Sequence, residues 1–165
     1  MCSIRTAESV CAGHPDKLAD QIADQILDDI LYDDKAARVA VEVMAAGRRI
    51  IVTGEITTNH RPRIRESVRT ALARAGYSPL GILIYVWTRR QSSDINAGVT
   101  TSLEARGGDS SAFALQGAGD QGTVYGYATA ETPERLPLPL VLAHRICERL
   151  DTCLLYTSDA ADERS

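Results

Sequence analysis

Lysine is almost absent: of 18 basic side chains only Lys17 and Lys35 are lysine. That shortage argues against a chain that grips a nucleotide tightly by itself. An excess of positive charge is also missing. The formal net charge is -4 and the two signs are interspersed, so no basic field exists to hold a phosphate backbone, and nucleic acid is excluded as the expected partner. Cysteine is sparse and scattered. Cys2, Cys11, Cys147 and Cys153 contain no Cys-x-x-Cys spacing, which excludes a zinc site or a disulfide scaffold and leaves buried or incidental thiols. The longest strongly apolar run, 82–87, is far too short to span a bilayer, and residues 1–10 lack a basic flank followed by an apolar core. A soluble, cytoplasmic protein is expected. What remains is ordinary globular material. The chain has 165 residues, 44% hydrophobic and 24% charged, which suits one domain with a real core.

Along residues 15–31, Leu18, Ile22, Ile26 and Ile30 form an apolar row four apart, with Ala19, Ala23, Leu27 and Leu31 beside it. This spacing predicts an amphipathic helix, with Pro15 in its first turn. Residues 37–44 alternate, with Val39, Val41 and Val43 on one face, and a turn at Gly47 and Arg48 leads into a β-rich run over 50–57. A hairpin follows from that pattern. Asn59 and Pro62 open a second helix carrying Ile64, Val68 and Leu72, which Gly76 closes. Residues 82–88 read as a buried strand, 89–119 as a long Gly- and Ser-rich loop, 123–129 as a further strand, and Pro139 starts a last helix with Leu142, Ile146 and Leu150 inward. The order predicts an α+β fold, a mixed sheet packed with helices on one side, rather than a doubly wound one.

Four clusters carry candidate chemistry. The run GHPDK at 13–17 puts His14, Asp16 and Lys17 around a helix start, where free N–H groups and the dipole attract a phosphate-bearing ligand. The plainer reading is a solvated helix start with Asp16 complementing the dipole. Glu42 and Glu55 sit on strands, where acidic residues are depleted. A turn centred on Gly47 and Arg48 sets Glu42 opposite Thr53, so both carboxylates share one face and can hold a cation or an ammonium group. A slip of one residue would separate them. GAGDQG at 117–122 is a glycine-rich turn presenting Asp120, without the lysine or following helix of a P-loop. Gln91 opens a polar stretch with Ser92, Ser93, Asp94 and Asn96, equally readable as turn chemistry. His60 is assigned to the surface and His144 to helix packing. Tyr125 and Tyr127 read as ordinary strand residues.

Taken together and in order, Glu8-Ser9-Val10, GHPDK, Ala19-Asp20-Gln21, Gly54-Glu55-Ile56-Thr57-Thr58, Gln91-Ser92 with Asp94-Ile95-Asn96, GAGDQG, Gly126-Tyr127-Ala128-Thr129 and Ala143-His144-Arg145 closely resemble the N-terminal part of methionine adenosyltransferases. The resemblance covers residues 3 to about 150. It implies one domain of a three-domain pseudo-repeat enzyme that makes S-adenosylmethionine from ATP and L-methionine, releasing phosphate and pyrophosphate. By the same resemblance His14 contacts the ATP phosphates and acts in catalysis, Asp16 is a magnesium ligand, Glu42 is the potassium-associated acid, and Glu55, Gln91 and Asp120 bind methionine. The implied cofactors are Mg2+ and K+, and the implied assembly is a homodimer or dimer of dimers with sites built from both partners.

The chain also departs from the family. Ser93 stands where the family pattern has proline, and the central and C-terminal domains, with their phosphate-binding lysines, are expected to have no counterpart. Residues 1–152 are therefore expected to be the N-terminal domain of a truncated enzyme, inactive alone. Residues 153–165, which include CLLYTSDAADE, are expected to be a non-native, adapter-derived tail. The alternative function is a non-catalytic ligand-binding or subunit-interaction module of the same fold.

Overall fold

A computed structural model describes residues 4–90, 102–111, 114, 115 and 123–162, the stretch 154–162 by its backbone. The apolar row of the first helix becomes the centre of the molecule. Helix α1, Pro15–Asp33, starts with Pro15 in its first turn and buries Leu18, Ile22, Ile26 and Ile30. These side chains pack with Ile50, Val52 and Ile56 of the sheet and with Ile64, Val68, Ala71 and Leu72 of α2, Ile64–Arg74. Ile22, Ile26, Val52 and Val68 are fully enclosed. At about 1.5–3 kcal/mol for each large aliphatic side chain buried, this cluster is the main source of stability.

Strands β1, Arg38–Ala46, and β2, Arg49–Thr57, form the expected antiparallel hairpin around Gly47, and β3, Leu83–Arg89, adds in parallel to β2. The result is a three-stranded mixed sheet in the order β1-β2-β3. Its inner face carries Val39, Val41, Val43, Ile50, Val52, Ile56, Ile84 and Val86 and receives both helices. The α+β expectation, with helices on one side, agrees with this arrangement. Helix α2 ends as Gly76 requires: at φ 84° it lets the Gly76 N–H reach the Ala73 carbonyl and the Tyr77 N–H reach that of Leu72, a Schellman motif.

Three expectations are corrected. The strand over 82–88 was expected to be buried, but β3 is covered on one face only, and Leu83 and Trp87 of its other face are 52% and 65% exposed. Residues 123–129 form no strand, and Tyr125 and Tyr127 lie exposed. A strand-like sequence makes a strand only where an edge accepts it, and the described sheet ends at β1 and β3 without this segment. The last helix exists, as α4, Leu138–Asp162, after a one-turn α3, Leu103–Arg106. It turns Leu142, Ile146 and Leu150 outward, however, each at least half exposed. It meets the extended segment before α1 through His144, Cys147 and Asp151 and the 131–134 turn through Leu138 and Arg145, and no Gly or Pro after Pro139 stops it before Asp162.

Asp34 ties the end of α1 to the end of β2. Its carboxylate accepts hydrogen bonds from the Asn59 N–H (2.9 Å) and the Thr58 hydroxyl (2.8 Å), and from the Ala36 N–H (3.1 Å). The Asn59 N–H first, then the Thr58 hydroxyl, hold its pKa below the usual carboxylate value. A depressed folded-state pKa means the unfolded chain binds more protons over that interval, so this stabilisation is present above the unfolded value near ~3.9 and is lost as pH falls below it. Asp34→Asn is expected to flatten the acid side of the melting-temperature profile between about pH 5 and pH 2. Parallel wild-type and variant profiles there would refute the assignment.

Candidate functional site

Two groups of expected site residues fall within the described residues, and they lie on different sides of the sheet. The first is the turn before α1. Residues 11–14 close on themselves through a hydrogen bond from the His14 N–H to the Cys11 carbonyl (3.0 Å). His14 is the N-cap in extended conformation, and its side chain makes no capping bond. Both His14 and Asp16 are exposed among the described residues, beside the amino end of a 19-residue helix. Such a start presents unpaired N–H groups and a partial positive charge to an anion.

Several side chains hold this turn from behind. The Tyr77 hydroxyl donates to the Gly13 carbonyl (2.9 Å), Gln21 Nε2 donates to the carbonyls of Ala12 (3.0 Å) and Lys17 (3.1 Å), and Lys17 Nζ donates to the Val10 carbonyl (3.2 Å). A Cβ at Gly13 would stand 2.6 Å from the Tyr77 oxygen and would push that side chain off the turn. From the other side, Ser9 Oγ meets His144 Nδ1 at 2.8 Å, and the Ala12 N–H donates to Asp151 (3.0 Å). His144, assigned to packing on the sequence, is thus a polar anchor. His60 is exposed as expected.

The second group is on the open face of the sheet. The register pairs Glu42 with Thr53 and Ala40 with Glu55, so the two carboxylates share that face as diagonal neighbours, as the turn position predicts. Glu55 is only 18% exposed and is engaged by Arg89, whose Nη2 and Nε lie 3.0 and 3.1 Å from the same Oε1. Around them lie Met44, Leu83, Tyr85 and Trp87, with the rings of Tyr85 and Trp87 stacked at 5.9 Å. The sheet therefore stands between these carboxylates and helix α1, which His14 and Asp16 open. Gln91 and Asp120 lie outside the described residues.

Tyr77, Gln21, Asp151 and Arg89 were given no site role on the sequence. Tyr77 had a signal in the Gly76-Tyr77 pair, whereas Asp151 is 139 residues from its partner and had none. A groove of about 470 Å3 lies at the far end of α1, between its last turns and residues 58–63, and takes in none of the expected site residues. Among the described residues no three His, Cys, Asp or Glu side chains gather into a metal cluster. No described helix is long and apolar enough to cross a membrane.

Comparison with known proteins agrees with this architecture. Residues 3–95 match the family described as S-adenosylmethionine synthetase, N-terminal domain, and residues 115–160 match the central domain of the same family. S-adenosylmethionine synthase 1 of Frankia casuarinae is 46% identical over 155 residues, covering 88% of this chain and 38% of that protein. S-adenosylmethionine synthase of Kosmotoga olearia is 49% identical over 154 residues, covering 89% and 39%. An S-adenosylmethionine synthetase from Campylobacter jejuni superposes with a TM-score of 0.68 at 30% identity, covering 88% of this chain and 36% of that one. The chain thus spans about two fifths of the length of the relatives it matches.

Proposed function

This chain belongs to the S-adenosylmethionine synthetase family, and on that premise we propose that it supplies the first part of a cytoplasmic enzyme making S-adenosylmethionine from ATP and L-methionine. The observation that carries the reading is the exposed His14 and Asp16 pair at an uncapped helix start, held rigid from behind by Tyr77 and Gln21. In the proposed reaction the methionine sulfur attacks C5′ of ATP, and the triphosphate leaves whole before hydrolysis to pyrophosphate and phosphate. The sulfur needs no base. Rate then comes from alignment and from groups that meet the charge growing on the leaving oxygen. His14 is the proposed donor of a hydrogen bond there, with the N–H groups of α1 proposed to orient the phosphate chain.

A single carboxylate such as Asp16 suits magnesium, which takes one or two protein oxygens together with substrate phosphates, so the ion would arrive with the nucleotide. Bound there, it would offset triphosphate charge. Glu42 is the proposed potassium-associated acid. Glu55, Gln91 and Asp120 are the proposed methionine residues, with Glu55 exchanging its Arg89 partner for the methionine ammonium.

We place the other half of each site on a second copy. The carboxylates face away from α1, and the apolar open face around Trp87 suits a homodimer or a dimer of dimers. The same exposed face favours the second reading, a non-catalytic subunit-interaction module. One experiment separates the two. The coding DNA is read through codon 153, and the continuous gene product and the 165-residue chain are each assayed with ATP and methionine. The first is expected to turn over and the second to give no measurable product, with residues 153–165 absent from the native gene. Turnover by the short chain would overturn the need for the missing part. A native stop after 165 with no activity would favour the module.

A further inference from the structure

Helix α4 lays three successive turns along the segment that leads into the His14 turn. His144, Cys147 and Asp151 share one helix face, and they meet Ser9, Cys11 and Ala12 in the same order. At the middle of this track Cys11 and Cys147, both free, come together across 136 residues of sequence. The Cys11 thiol donates toward the Cys147 carbonyl at 3.8 Å. Both residues are half-buried, whereas Cys153 is exposed. The proposed reaction uses neither thiol.

We propose that Cys11 and Cys147 are a redox modification site, joined into a disulfide by a peroxide and reopened by a thiol reductant, which locks the segment before His14 onto α4. The thiolate of Cys147 attacks one oxygen of hydrogen peroxide, the O–O bond breaks, and hydroxide leaves to become water. The Cys147 sulfenic acid so formed is attacked by the sulfur of Cys11. The S–S bond forms, the S–O bond breaks, and the second water leaves with the Cys11 proton. Two thiols lose two electrons in total and the peroxide gains them. Burial first, and then the Asp151 carboxylate, raise the pKa of Cys11, which suits it to the resolving rather than the attacking role. The proposal does not depend on what the turn binds.

The test is peptide mapping of the full chain, reduced and then treated with hydrogen peroxide, alongside its melting midpoint. A linked pair of peptides containing residues 11 and 147 is expected, reversed by dithiothreitol. Closing so long a loop should raise the midpoint by about 10 °C over the reduced chain. Cys147→Ala should lose both the link and the shift, and Cys153→Ala should keep both. Oxidation that leaves residues 11 and 147 unlinked, or a shift that persists in Cys147→Ala, overturns the assignment.

Discussion

Gly54→Ala is expected to cost this domain a large share of its stability. Gly54 sits in the middle of β2 at φ 128°, a conformation closed to residues with a Cβ, and a Cβ there would run into the Ala40 carbonyl and stand 2.9 Å from the Val41 Cα. Both obstacles are backbone in the paired strand, which cannot swing aside as a side chain can. Strain of about 1–3 kcal/mol for the dihedral and a similar amount for forced displacement compare with a net stability of ~5–15 kcal/mol for a typical domain. The residue after it is Glu55, so any relief by shifting β2 also moves a proposed methionine contact. Gly47→Ala is the internal control. Gly47 is also left-handed, at φ 57°, but a Cβ there meets nothing within 4 Å, so its cost should be only about 1 kcal/mol. Circular dichroism melts of the two variants should differ widely. Equal melting midpoints would show that β2 relaxes freely at Gly54.

His14→Ala in the continuous gene product is expected to lower kcat by about 10²–10³-fold, the size of effect seen when one preorganised donor to developing charge is lost. The fold should barely notice. The side chain is exposed and makes no capping bond, so its removal should change stability by no more than about 0.5 kcal/mol. Steady-state kinetics with ATP and methionine, read beside a melting curve, check both halves. A variant with wild-type kcat would remove His14 from the chemistry, and one that melts far below wild type would make it a structural residue instead.

The core and the hairpin were legible because their signals are local. The row from Leu18 to Ile30 repeats every four residues, and once Gly47 and Arg48 set the turn, pairing Glu42 with Thr53 follows by counting. Where burial depends on what another segment brings, the pattern alone misled. The apolar run from Leu83 to Trp87 reads as doubly buried because both faces are apolar, yet only one is covered. Thr123 to Thr129 reads as a strand but joins no edge of the described sheet. Leu142, Ile146 and Leu150 are a helical apolar row, and periodicity says that such a row exists, not which element it meets. Cys11 and Cys147 are the extreme case: two scattered cysteines show nothing until chain topology sets them side by side.

The anchoring of Ala12 to Asp151 has a further consequence, in the order of events during synthesis. Ribosomes deliver about 5–20 residues per second, and the two anchor points are 139 residues apart. The turn that presents His14 therefore waits on the order of ten seconds or more before its last support exists. Until then it has Tyr77 and Gln21 but not the α4 side. A nascent chain can bury Ile22 and Val52 long before its amino-terminal segment is docked, leaving that segment open to proteases and to chaperones in the interval.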